Sequence, residues 1–139
     1  PCTMFSLART RAKTPRNLVQ GMYIVEMCMQ IIWRTREHTK LSFWALENPM
    51  GYLRQFLGKP PFIFSPCDFG ESYTKKTDLW GYYNEPKKRL YKLTVNEKAK
   101  CAINTRKLPS ISDFTGSKQA ARRAITPAGF AKAFFEANQ

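Results

Sequence analysis

Apolar residues recur three and four positions apart through the first long segment of the chain. Leu18, Val19, Met22, Val25, Met29, Ile32 and Trp33 hold these positions, the spacing that gathers side chains on one helix face. Asn17 stands just before them, with a side-chain oxygen suited to the free amide groups of a first turn. The pattern predicts a helix from Asn17 to about Glu37. Tyr23, Ile24, Met27, Cys28 and Ile31 widen the stripe, so burial on more than one side is expected. The methionines read as core filler. Gln20, Glu26 and Gln30 interrupt the run, leaving apolar stretches far below the ~20 residues of a membrane span.

Shorter elements follow. Leu41 to Leu46 reads as a strand that ends at Glu47-Asn48-Pro49. Gly51 to Leu57 fits a helix, closed by Gly58 and the Lys59-Pro60-Pro61 stop. Phe62 to Ser65 is a short apolar strand, and Asp78 to Tyr83 is a third. Strand, helix, strand in this order predicts a parallel unit, and the short link between the second and third strands suits an antiparallel pair. The expected class is α/β. Tyr91 to Val95 suits a strand or hairpin arm, and Asn104 to Gly116 reads as loop, broken at Pro109 and Gly116. Thr126-Pro127 opens a last helix with Phe130, Ala131, Phe134 and Phe135 on one face. Three segments are expected: 1–83 with the strands, a basic stretch over 84–123, and a closing helix over 124–139.

Charge changes this picture. The 139 residues carry a formal net charge of +13, which favours an anionic partner, and aromatic residues interleaved with the basic ones favour nucleic acid. Residues 7–16 are basic and read as a mobile loop. Cys2, Cys28, Cys67 and Cys101 form no CxxC pair, which excludes a zinc ribbon. His38 is the only histidine, so no histidine cluster is available for a metal. Arg9, Arg11, Lys13 and Arg16 lie near the start with no apolar run among them, so no signal peptide is expected. A reducing, cytoplasmic setting without disulfides fits best.

Two groups carry candidate chemistry. Cys2 lies in the opening Pro1-Cys2-Thr3-Met4-Phe5-Ser6, and Glu47 ends an apolar strand. In open α/β sheets, functional groups gather at the carboxyl ends of strands. A thiolate and a carboxylic acid side by side suit addition to an electrophilic ring, the acid serving a ring nitrogen. A free thiol ionises near pH ~8.5, so basic neighbours such as Arg9, Arg11 and Lys13 raise the thiolate fraction.

Taken in order, the segments resemble the carboxyl-terminal half of a DNA cytosine-5 methyltransferase, most like the compact phage and prophage forms. Pro1 to Ser6 is similar to the family's Pro-Cys-Gln-x-Phe-Ser motif, with Thr3 in place of glutamine. Phe43 to Pro49 is similar to the strand that ends in Glu-Asn-Val, with Pro49 in place of valine. Phe69 to Thr77 stands where the family has Tyr-Gly-x-Pro-Gln-x-Arg-x-Arg, and Ala124 to Ala131 resembles its closing Asn-Ala-Val-Pro-Pro-x-Leu-Ala.

The resemblance implies part of a Rossmann-like class I methyltransferase sheet with flanking helices. It implies DNA as partner, a flipped cytosine, Cys2 as nucleophile, Glu47 at ring nitrogen 3, and Asn48 shaping the loop around Glu47. Ser6, Arg9, Arg11, Lys13, Lys75 and Lys76 would contact substrate or DNA. The implied cofactor is S-adenosylmethionine, with Pro1 as its only contact in this chain. The family's glycine-rich loop and ribose-binding acid lie upstream of the cysteine motif and are absent here, so cofactor binding is expected to need a missing amino-terminal half or a partner subunit. Without it, the 17–37 helix should leave an apolar face exposed. Two rival readings are a basic nucleic-acid-binding module without chemistry, and a structural protein packing on a cofactor-binding subunit.

Overall fold

The computed structural model describes residues 2–7, 13–92, 108–113 and 124–139, without the side chains of Cys2, Thr3 and Ser112. Asn17 starts the long helix as its position predicts, its Oδ1 accepting from Gln20 N at 2.9 Å. This helix, α2, runs Leu18–His38 and carries Arg36 in its last turn, where a cation suits the exposed carbonyls. A one-turn helix, α1, spans Cys2–Phe5.

Three strands form one small sheet: β1 (Trp44–Pro49), β2 (Phe62–Phe64) and β3 (Thr77–Tyr82), in the order β1-β3-β2. β1 and β3 pair antiparallel, with Trp44 opposite Tyr82, Leu46 opposite Trp80 and Pro49 opposite Thr77. The short helix α3 (Arg54–Leu57) lies between β1 and β2 in sequence. The architecture is mixed α/β with an antiparallel sheet. β1 and β2 are not neighbours, because β3 is inserted between them, so the sheet is antiparallel, as the short link between the second and third strands suggested, and no parallel pair forms from the strand-helix-strand order. The wider Rossmann-like sheet is not among the described residues.

Boundaries also move. The first strand begins at Trp44 and includes Glu47-Asn48-Pro49. Its alternation explains this: Leu46 and Asn48 are buried, while Ala45 and Glu47 are exposed. The helix expected from Gly51 starts only at Arg54, because Gly51 is bridged to Ser6. Gly58 closes it with a φ of 75°, a conformation suited to glycine.

The chain forms two compact units, one of residues 1–63 and 77–83, the other of 64–76 and 84–139. This division cuts across the expected segments. In the first unit Phe5, Val25, Leu46, Leu53 and Trp80 form the core, with Leu18, Met22 and Met29 packed against it. The packing uses one face of α2. Val19, Tyr23, Met27, Ile31 and Trp33 remain exposed, which corrects the expected burial on more than one side and agrees with the expected exposed apolar face.

In the second unit a 3₁₀ turn spans Pro66–Phe69, fixed by a capping box between Ser65 and Asp68. The closing helix, α4, spans Ala128–Ala137. Phe130 stacks on Phe64 at 3.9 Å and meets Phe69 edge-on at 5.3 Å. Phe134 lies on the same side, 5.6 Å from Phe130. Ala131 and Phe135 are exposed, so the apolar face is narrower than expected. Asn84 and Asn138 clasp reciprocally, Asn84 N donating to Asn138 Oδ1 at 2.7 Å and Asn138 Nδ2 to Asn84 O at 3.1 Å. Tyr91 and Lys92 are not in a strand. The remainder of that expected arm, and most of the 104–116 loop, lie outside the described residues.

Among the described residues, no helix is long and apolar enough to cross a membrane. Among the described residues, no group of three His, Cys, Asp or Glu side chains is placed to hold a metal.

Candidate functional site at the carboxyl end of β1

An isolated turn of helix is marginal in water, so α1 depends on what holds it. Its last carbonyls are all taken. Tyr52 N donates to Phe5 O at 2.9 Å. The Arg16 guanidinium donates through Nη1 to Met4 O and through Nη2 to Ser6 O, the latter at 3.1 Å. Ser6 forms an antiparallel bridge with Gly51. The Phe5 ring is fully buried in the core, with Phe56 edge-on at 6.0 Å.

Two glycines permit this approach. A Cβ on Gly51 would lie 2.1 Å from Phe5 O, and one on Gly21 would lie 2.8 Å from the Phe5 ring. The turn that begins at Cys2 is thus fastened, through its far end, to the segment that follows Glu47-Asn48-Pro49. The two motifs singled out by sequence meet in one unit, with α1 beside β1.

Glu47 sits opposite Leu79 and is exposed. Strand alternation puts it on the sheet face opposite Leu46 and Trp80. Asn48 is 1 % exposed. Its Nδ2 donates to Pro49 O at 2.7 Å, while Oδ1 is buried without a hydrogen-bond partner. Opposite Asn48 is Asp78, fully buried. Arg54 clamps it bidentately, Nε to Oδ2 at 2.7 Å and Nη2 to Oδ1 at 2.5 Å. The hydrogen bond to Asp78 raises the Arg54 pKa further above its usual value. This clamp ties α3 to β3.

The other candidates are less concentrated. Ser6 is half-buried at the Gly51 bridge, and Lys13 is exposed. Lys75 and Lys76 belong to the second unit. Pro1, Arg9, Arg11 and the Cys2 side chain lie outside what is described, as do Cys101 and most of the basic 84–123 stretch. Of the described cysteines, Cys28 and Cys67 are free thiols. Burial, reinforced by Asp68, pushes the Cys67 thiol up, which disfavours its thiolate at neutral pH.

Sequence reasoning passed over Arg16, Tyr52 and the Arg54–Asp78 pair. Arg16 was expected in a mobile loop, but its guanidinium is also stacked over the Tyr52 ring, 4.7 Å from the centroid. Its position just after Pro15 and before the helix cap was the available signal. The ion pair left none, because its members stand 24 positions apart and meet only in the folded unit.

A cavity of about 660 Å3 opens beside this site, lined by Met4 and residues 14–20. Its lining holds Arg16 and no carboxylate. S-Adenosylmethionine presents a sulfonium cation, for which this lining offers no carboxylate. No protein-family model, curated protein or solved structure matches the chain.

Proposed function

We propose that this chain carries the nucleophile and acid of a DNA cytosine-5 methyltransferase site. The observation that carries the reading is the clasp between α1 and the turn after Glu47-Asn48-Pro49, made by Tyr52 N on Phe5 O and by the Ser6–Gly51 bridge. Motifs far apart in sequence and similar to those of one family are fastened together.

In this reading the Cys2 thiolate adds to carbon 6 of a flipped cytosine. The Glu47 carboxylic acid gives its proton to ring nitrogen 3 as the carbon–sulfur bond forms. The electron pair displaced from the 5,6 double bond makes carbon 5 nucleophilic. Carbon 5 takes a proton from water; loss of either carbon 5 proton then expels the thiolate while Glu47 takes back the proton on ring nitrogen 3, which restores the ring. Ser6, Arg9, Arg11, Lys13, Lys75 and Lys76 serve substrate and phosphate contacts, which orient DNA without reading its sequence. No step is assigned to S-adenosylmethionine, because the described cavity lining does not suit it.

The addition step can be read without a methyl donor. Cytosine tritiated at carbon 5 loses its label to water when the thiolate adduct is protonated at carbon 5 and then eliminates. In the full-length gene product, Cys2→Ala should abolish release from DNA, and Glu47→Gln should slow it by about 10²–10⁴-fold. Release at the parental rate in Cys2→Ala would sink the reading. The net charge of +13 favours the rival, a binding module without chemistry; it predicts salt-dependent DNA affinity with no release from any variant.

A further inference from the structure

We infer that Arg16 is a positioning residue for Cys2, acting as the fork that fixes the carboxyl end of α1. The inference rests on the reading of Cys2 as nucleophile. α1 is a single turn, so Cys2 stands only about 6 Å of helical rise from Ser6. The placement of its backbone depends on how the far end of the turn is held. Three successive carbonyls there, of Met4, Phe5 and Ser6, are each engaged, and Arg16 engages two of them. The third is engaged by the amide of Tyr52, and the Tyr52 ring lies under the Arg16 guanidinium. Arg16 therefore grips both the turn and its support.

A planar guanidinium presents parallel N–H groups to two acceptors at once and stacks on an aromatic face. Lysine keeps the charge and loses both properties. The arrangement makes Arg16 a geometric device rather than a phosphate contact: its donors are turned inward to backbone carbonyls. Attack on a ring carbon needs alignment within a fraction of an ångström, and a misplacement of about 1 Å costs about 10²-fold.

The test uses the full-length gene product and two readouts. The first is tritium release from carbon 5 of cytosine in DNA, with DNA affinity measured in parallel. Arg16→Ala should slow release about 30- to 100-fold at saturating DNA while changing Kd less than about 2-fold. Arg16→Lys should recover less than a tenth of the loss, and added guanidinium at tens of millimolar should restore Arg16→Ala several-fold. The second readout is amide hydrogen exchange, which needs no activity. Exchange at the amides of residues 2–6 and of Tyr52 should quicken at least 10-fold in Arg16→Ala, with β1 and β3 unchanged.

Unchanged exchange in Arg16→Ala overturns the positioning claim, whatever the enzyme does. So does full rescue by lysine, or a loss of affinity that matches the loss of rate. If the parental protein releases no tritium while exchange responds as expected, the methyltransferase reading fails and the structural role of Arg16 stands.

Discussion

Arg54→Met isolates the ion pair that ties α3 to β3. The substitution keeps most of the stem and removes the guanidinium, leaving Asp78 fully buried with both oxygens deprived of their Arg54 donors. Breaking a buried pair by removing one partner costs about 3–5 kcal/mol. Arg54 keeps 32 % of its side chain exposed, so water can reach the vacated position, which places the cost near the low end, about 3 kcal/mol. For a chain of this size that is a fall in Tm of about 12 °C. Denaturant unfolding of the parent, Arg54→Met, Asp78→Leu and the double variant measures it. The double variant should regain at least half of the loss, because an apolar pair leaves no unpaired charge. A loss below about 1 kcal/mol in Arg54→Met, or additive losses in the double variant, would refute the argument that Asp78 depends on its partner.

Three further outcomes are expected. Phe130→Ala removes the ring stacked on Phe64 and should cost about 3–5 kcal/mol in denaturant unfolding, whereas Phe135→Ala, at an exposed position, should stay within about 0.5 kcal/mol; equal costs would contradict the face assigned to α4. Gly51→Ala drives a Cβ to 2.1 Å from Phe5 O and must open the bridge to Ser6, so exchange of the Tyr52 amide should quicken by at least 10-fold; unchanged protection would contradict the close approach. Cys67 should alkylate more slowly at pH 8 than a free thiol, because burial and Asp68 raise its pKa. The folded chain keeps that proton to higher pH than the unfolded one, so its contribution to stability is full below the pKa of the unfolded thiol and declines as pH rises through the raised one; alkylation at the free-thiol rate would contradict the assignment.

Local features were well marked in sequence. Asn17 and the apolar spacing behind it announced α2, and Gly58 with its trailing prolines announced the end of α3. The alternation that buries Leu46 and Asn48 explains why β1 continues to Pro49 rather than stopping at Leu46, but that alternation acquires a meaning only once β3 supplies a partner. The insertion of β3 between β1 and β2 is a long-range pairing, which no local pattern encodes. The same limit hid Asp78: within the third strand it reads as one polar residue, and its burial follows from the strand register and Arg54 together. Arg16 was obscured for another reason. Among many basic residues, a cation facing inward has the same composition as one facing solvent.

The exposed apolar row on α2 runs through Val19, Tyr23, Met27 and Ile31. It is a property of the first unit that agrees with the exposed face expected from the sequence. The clasp on α1 lies in the same unit, and the chemistry proposed for Cys2 depends on it.

The most direct measurement is the identity of the residue that bonds to DNA. The full-length gene product, supplied with S-adenosylmethionine and DNA containing 5-fluorocytosine, should form a denaturation-resistant complex. Digestion and mass spectrometry should place the modified nucleotide on the peptide containing Cys2, and Cys2→Ala should form no such complex. A bond mapped to Cys28, Cys67 or Cys101, or no bond from a protein that binds the same DNA, would contradict the account.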